Sequence, residues 1–122
     1  MVLVDTSVLV SHLRQANKPL ETLLLEAEAA SHDFVIGELA CGRLKNRKEI
    51  LSLLQYLPKM PLAAQDELLY LIEDHSLSGM GIGFVDVHLL ASAKLAGIPL
   101  WTFDKKLRHA ADKLGVLHVI KI

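Results

Sequence analysis

The sequence predicts an α/β protein, a single domain over residues 1–122 with a central parallel sheet covered by helices on both faces. Short apolar runs alternate with stretches of helical periodicity, the pattern of strands joined by helical crossovers. Leu, Val, Ile and Ala dominate a composition that is 52% hydrophobic but only 5% aromatic, which suits helices on a buried sheet better than an antiparallel sandwich. A chain of 122 residues also has the material for one packed core.

Each element has its own signal. Residues 2–4 (VLV) read as a short buried strand, after which Thr6 or Ser7 offers a hydroxyl cap to a helix carrying Val8, Leu9, His12 and Leu13. Pro19 suits a helix start, with Leu20, Leu23, Leu24 and Ala27 at helical spacing. The stretch AAS can end a short strand, and Asp33 can cap a helix with Phe34, Val35, Glu38, Cys41 and Gly42 on one face. Asn46 with Glu49 three residues on forms a capping-box-like pair for NRKEILSLLQYL, which Pro58 closes. Residues 64–75 read as a helix with Leu68, Leu69 and Ile72 inward, and SGMGIG at 78–83 as a turn. FVDVHLLASAKLA is a helix stopped by Gly97, IPLWTF a strand, DKKLRHAADKL a helix stopped by Gly115, and VLHVI a last strand.

The net charge of −1 decides nothing about partners, but its distribution is uneven. Arg43, Lys45, Arg47 and Lys48 cluster, as do Lys105, Lys106 and Arg108; such clusters are solvated helix faces or contacts for a polyanion. The lone Cys41 excludes an internal disulfide and a CxxC motif, which points to a reducing cytoplasm. MVLVDTSVLV lacks the basic leading segment of a secretory signal, and no apolar run approaches the ~20 residues needed to cross a bilayer, so no membrane partner is expected.

Four acids stand out. Asp5 and Asp104 each follow directly on an apolar strand, where ligands gather in parallel sheets, and Glu38 and Asp86 are charges written on apolar helix faces. Singly, each has a plain structural reading: Asp104 as a helix cap, Asp86 as a first-turn acid, Glu38 as a partner of Arg43 or Lys45. Together they repel, by roughly 3 kcal/mol for two carboxylates ~5 Å apart at an effective dielectric near 20. Protonation or a divalent cation relieves that repulsion, and an all-oxygen set suits Mg²⁺ or Mn²⁺ rather than zinc. With the hydroxyls of Thr6, Ser7 and Thr102 beside it, such a site fits hydrolysis of a phosphate ester without a protein nucleophile.

DTS at 5–7, GELACG at 37–42, GFVDVHLLASA at 83–93 and LWTFD at 100–104 resemble the PIN-domain ribonucleases, in particular the VapC toxins of bacterial toxin–antitoxin pairs. The resemblance covers nearly the whole chain. It implies a metal-dependent endoribonuclease in which Asp5, Glu38, Asp86 and Asp104 are the catalytic, metal-holding acids and Thr6 and Thr102 the supporting hydroxyls. It also implies Mg²⁺ or Mn²⁺ as cofactor, tRNA or ribosomal RNA as substrate, a homodimer, and a VapB-type antitoxin that covers the acidic pocket. Some relatives carry a further acid after the fourth, where this chain has Lys105 and Lys106. Arg43, Lys45, Lys105, Lys106 and Arg108 are the candidate RNA contacts.

Three other readings compete. A haloacid-dehalogenase-type phosphatase needs a second aspartate two residues after Asp5, where Ser7 stands. Gly79, Gly81 and Gly83 lack the lysine and hydroxyl of a phosphate-binding loop. A catalytically silent acidic pocket that recruits a basic partner is distinguished by whether added Mn²⁺ elicits RNA cleavage. Among the histidines, His12, His88 and His118 read as structural and His109 as a possible RNA contact; Trp101 reads as sheet core.

Overall fold

In a computed structural model that describes residues 1–120, the chain begins with β1 (Val2–Val4), the centre of a three-stranded parallel sheet. On one side lies β2 (Ala29–Ala30), with Val2 opposite Ala29, and on the other β3 (Leu100–Trp101), with Leu3 opposite Leu100 and Val4 opposite Trp101. Successive strand side chains point to opposite faces, and every residue of the three strands is buried. Both faces are therefore covered by helices, which is how a parallel sheet is stabilised. The order β2-β1-β3 puts the amino-terminal strand in the middle, where its VLV run, apolar on both faces, belongs.

The helices are α1 (Thr6–Arg14), α2 (Lys18–Leu25), α3 (Asp33–Cys41), α4 (Arg47–Tyr56), α5 (Gln65–Asp74), α6 (Phe84–Ala96) and α7 (Lys105–Lys113). α6 is the most deeply set, with Val87 through Ala93 all buried. It ends as its sequence predicts, on Gly97 in the left-handed region at φ 67°. None of the described helices is long and apolar enough to cross a membrane.

Several expectations are corrected. Asp5, not Thr6 or Ser7, is the N-cap of α1, because its carboxylate already faces the Ser7 N–H. α2 starts one residue before Pro19, capped by Asn17, and Ala27 leaves the helix at φ 56° to turn the chain into β2. AAS does give a strand, but the cap of α3 is His32, so Asp33 is its first helical residue. The α3 stripe is narrower than drawn: Val35 and Leu39 are buried, while Glu38, Cys41 and Gly42 are exposed. Asn46 caps α4 by its backbone alone, at φ 56°, which turns its side chain away from the helix amides. On α5 Leu68 and Leu71 are buried and Ile72 packs against the core as expected, while Leu69 faces out, on the side turned away from α6.

The predicted IPLWTF strand shortens to Leu100–Trp101: Pro99 has no N–H to donate, and Thr102 turns its hydroxyl to the side chains around it. VLHVI makes only a parallel bridge, Leu117 beside Leu100, matched on the far side of the sheet by a bridge between Ser31 and Lys59. Trp101 is buried as expected.

Candidate active site

Parallel pairing of β1 with β3 decides what Asp5 meets. The ladder continues past Val4–Trp101, with the Asp5 N–H donating to the Trp101 carbonyl at 2.9 Å, so Asp5 and Thr102 leave the sheet side by side. Asp5 is 6% exposed and Thr102 0%. A carboxylate this buried needs donors. Asp5 Oδ2 receives the Thr102 hydroxyl at 2.7 Å, the Ser7 hydroxyl at 2.6 Å and, more weakly, the Ser7 N–H at 3.4 Å. Every hydrogen bond it accepts among the described residues falls on Oδ2, which leaves Oδ1 for other work. Ser7 and Thr102 also take in the loop that follows: Phe103 N donates to Ser7 Oγ at 3.0 Å and Asp104 N to Thr102 Oγ1 at 3.1 Å.

Asp104 caps α7, accepting from Leu107 N at 2.9 Å through Oδ1. Asp86, third residue of α6, reaches back to Gly83 N at 3.0 Å through Oδ2. Glu38 projects from α3 and accepts from the Thr6 hydroxyl at 3.2 Å through Oε1. The plain capping roles of Asp86 and Asp104 are thus real, and each leaves one carboxylate oxygen free of them. Glu38 forms no ion pair with Arg43 or Lys45, and none of the four acids is in a salt bridge among the described residues.

Electrostatics tie the four together. Burial pushes the Glu38 carboxyl above its ordinary range; the Thr6 bond works against this, and the negative charges of Asp5 and Asp86 add to it. Asp86 is pushed up chiefly by burial, opposed by the Gly83 N–H, with Asp5 and Asp104 contributing. Acids from residues 5, 38, 86 and 104 therefore share one field, as the sequence suggests. They are not drawn into one closed cage: among the described residues no three His, Cys, Asp or Glu side chains are gathered closely enough to hold a metal ion by themselves. Asp86, Asp104 and Glu38 are each anchored to a separate donor, the Gly83 amide, the Leu107 amide and the Thr6 hydroxyl.

The basic candidates fall into two groups. Lys105, Lys106 and Arg108 lie on α7 beside Asp104, and the Lys106 side chain runs along the loop leading to Asp86. There Gly81, at φ 77°, leaves the space it occupies: a Cβ would stand 2.8 Å from Lys106 Cδ. Arg43 and Lys45 instead line a groove with Arg14, Leu13 and Leu44 at the far end of α1, about 13 Å along the helix from Asp5. Arg47 is spent structurally, its guanidinium holding the last carbonyls of α3 through Ala40 O. His109 is exposed on α7, and His12 accepts from Asn17 N at 2.9 Å.

One residue escaped the sequence reading. His32 is fully buried, caps α3 and touches Ser92 of α6, a partner 60 residues away that local pattern cannot reveal. The only local hint is a polar residue just before an apolar helix run, where a cap belongs.

The fold and the sequence have counterparts. The crystal structure of PAE2754 from Pyrobaculum aerophilum superposes with a TM-score of 0.66 over 96% of this chain and 87% of that one, at 17% identity, a likeness of fold alone. Ribonuclease VapC32 of Mycobacterium tuberculosis, from the CDC 1551 / Oshkosh and the H37Rv strains, is 46% identical over 117 residues, covering 95% of this chain and 94% of the relative. The family model described as PIN domain matches residues 2–113, so with these likenesses the chain belongs to the PIN domain family and is of the VapC type.

Proposed function

We propose that this chain is, as one unit, a divalent-metal-dependent endoribonuclease that hydrolyses RNA phosphodiester bonds, the toxin half of a VapBC-type pair. The observation that carries the reading is that the Glu38 and Asp86 carboxyls are raised, first by burial and then by the negative charges of Asp5, Asp86 and Asp104 around them, while none of the four acids is salt-bridged to a protein cation among the described residues. The name of the 46% identical relative supports the choice of RNA.

The donor set fits the metal. All candidate ligands are carboxylate oxygens, which suits Mg²⁺ or Mn²⁺, and Mg²⁺ typically binds through one or two carboxylates plus waters and substrate phosphates rather than in a closed protein cage. Asp5, Asp86 and Asp104 would hold it, with Glu38 as a further ligand or a base that orients water. When bound, such an ion supplies positive charge to a phosphoryl oxygen and makes nearby water more acidic.

The chain's own residues do the rest. Thr102 and Ser7 fix the Asp5 carboxylate by one oxygen, so its other oxygen has a single direction. Glu38, raised by burial and held by Thr6, accepts a proton from water nearer neutrality than an ordinary glutamate would. Lys105, Lys106 and Arg108 grip the RNA backbone next to the acids, with Arg43 and Lys45 as a more remote contact. Structured RNA such as tRNA or ribosomal RNA is the substrate class, a VapB-type antitoxin silences the site by covering the acids, and the working form is a homodimer.

Incubation of total RNA with the purified chain, with Mg²⁺, with Mn²⁺ or with chelator, followed by mapping of cut ends, tests this. Discrete cuts that need the metal and vanish with Asp86→Asn are expected. Cleavage indifferent to chelator, or none with either ion, would overturn it.

A further inference from the structure

His32 lies at 0% exposure in the seam between α3 and α6. A polar ring there costs stability unless both nitrogens are satisfied, and both are. Phe34 N donates to Nδ1 at 3.0 Å, while Nε2 stands 3.0 Å from Ser92 Oγ. Ser92 donates its only hydroxyl hydrogen to the Pro61 carbonyl at 2.6 Å, so in the contact with His32 the hydroxyl accepts and the ring donates. Hydrogen counting thus leaves one form, a neutral imidazole carrying its proton on Nε2, with a directed chain running from the Phe34 N–H through His32 and Ser92 to Pro61. Burial, which lowers the basicity of His32, agrees with the neutral form.

This hydrogen-bond chain joins the helices that bear Glu38 and Asp86. Glu38 follows His32 by six residues on α3, and Ser92 follows Asp86 by six on α6, so the tie sits about 9 Å along each helix from its acid. Beside it, His88 of α6 stands edge-on to Phe34 of α3, with ring centroids 4.4 Å apart, adding a packing contact across the seam. Apolar packing alone tolerates sliding of one helix past the other; a hydrogen-bond chain of fixed direction does not. We infer that His32 is a positioning residue, one that sets the distance between Glu38 and Asp86 by tying α3 to α6; the inference rests on the nuclease reading of those acids.

Two variants separate this from simple capping. His32→Asn keeps an oxygen to accept the Phe34 N–H but is too short to reach Ser92, and Ser92→Ala keeps the cap and removes the tie. In both, single-turnover RNA cleavage should slow roughly tenfold or more, as for residues that orient metal ligands, with RNA affinity changed less than about twofold. Affinity for Mn²⁺ alone, by calorimetry, should fall with the rate. Wild-type rate and Mn²⁺ affinity in His32→Asn would reduce His32 to a helix cap and overturn the inference. Nitrogen-15 spectra of the histidine rings of the full chain, without metal or RNA, should give His32 the neutral Nε2–H pattern; an Nδ1–H or doubly protonated ring would overturn it too. If the wild-type chain cuts no RNA, the nuclease reading fails, and the ring spectra and Mn²⁺ affinities judge the tie by themselves.

Discussion

Thr102 helps Ser7 set the Asp5 carboxylate, and it does so from a fully buried position. Its hydroxyl donates to Asp5 and accepts from the Asp104 amide, coupling the first and last acids through one oxygen. Thr102→Val keeps the shape and leaves both partners short of a hydrogen bond, which should cost about 1–3 kcal/mol of stability by urea unfolding. Cleavage should fall with it, because Asp5 loses one of the two hydroxyls that orient it. Single residues of this kind were legible in the sequence where they broke a local rule: an acid directly after VLV, an acid directly after LWTF, an acid among the apolar residues of the α6 run. Thr6 and Thr102 were legible by standing next to those acids. His32 was not, because what makes it special is Ser92, and only the folded chain brings them together.

Helices carry the site's electrostatics. Glu38 on α3 and Asp86 on α6 both have carboxyl groups raised above their ordinary values, burial first and neighbouring acids after. A group whose folded value is raised binds more protons in the folded than in the unfolded state between the two values. For these two acids, stability of the metal-free chain is therefore greatest below their ordinary values and is lost as pH climbs from those up through the raised ones. Glu38→Gln, which removes one of the mutually repelling charges, should raise the melting temperature at pH 7 in chelator, flatten that decline, and shrink the stabilisation given by Mg²⁺; thermal melts from about pH 3 to 8 with and without the ion measure all three. At this scale the sequence placed all seven helices, since periodicity, prolines and the stop at Gly97 act locally. It misjudged their facing where tertiary contact decides, as with Leu69 turned out and Leu71 in. The last strand was lost for a similar reason: VLHVI has strand composition, yet only Leu117 finds a place beside Leu100.

For the molecule as a whole, two basic surfaces at different distances from the acids make a graded expectation. Lys105, Lys106 and Arg108 flank Asp104, whereas Arg43 and Lys45 share a groove with Arg14 at the remote end of α1. Each phosphate contact removed should flatten the plot of log affinity against log salt by about 0.7 for single-stranded RNA. Lys105→Ala with Arg108→Ala should show that flattening on any RNA the chain cuts. Arg43→Ala with Lys45→Ala should show it only on RNA long enough to reach the groove, which fluorescence titrations with short and long fragments will separate. The α/β architecture was readable from alternation alone, but the breadth of the sheet was not, because strands of two residues leave almost no periodicity. Those short strands have an effect beyond the site. On each flank the outermost strand is met by one more bridging residue, Lys59 at Ser31 and Leu117 at Leu100, so the hydrogen-bonding rim where a foreign chain could graft itself is already engaged. A sheet closed off in this way offers little template for self-propagating aggregation, even in a sequence so rich in aliphatic residues.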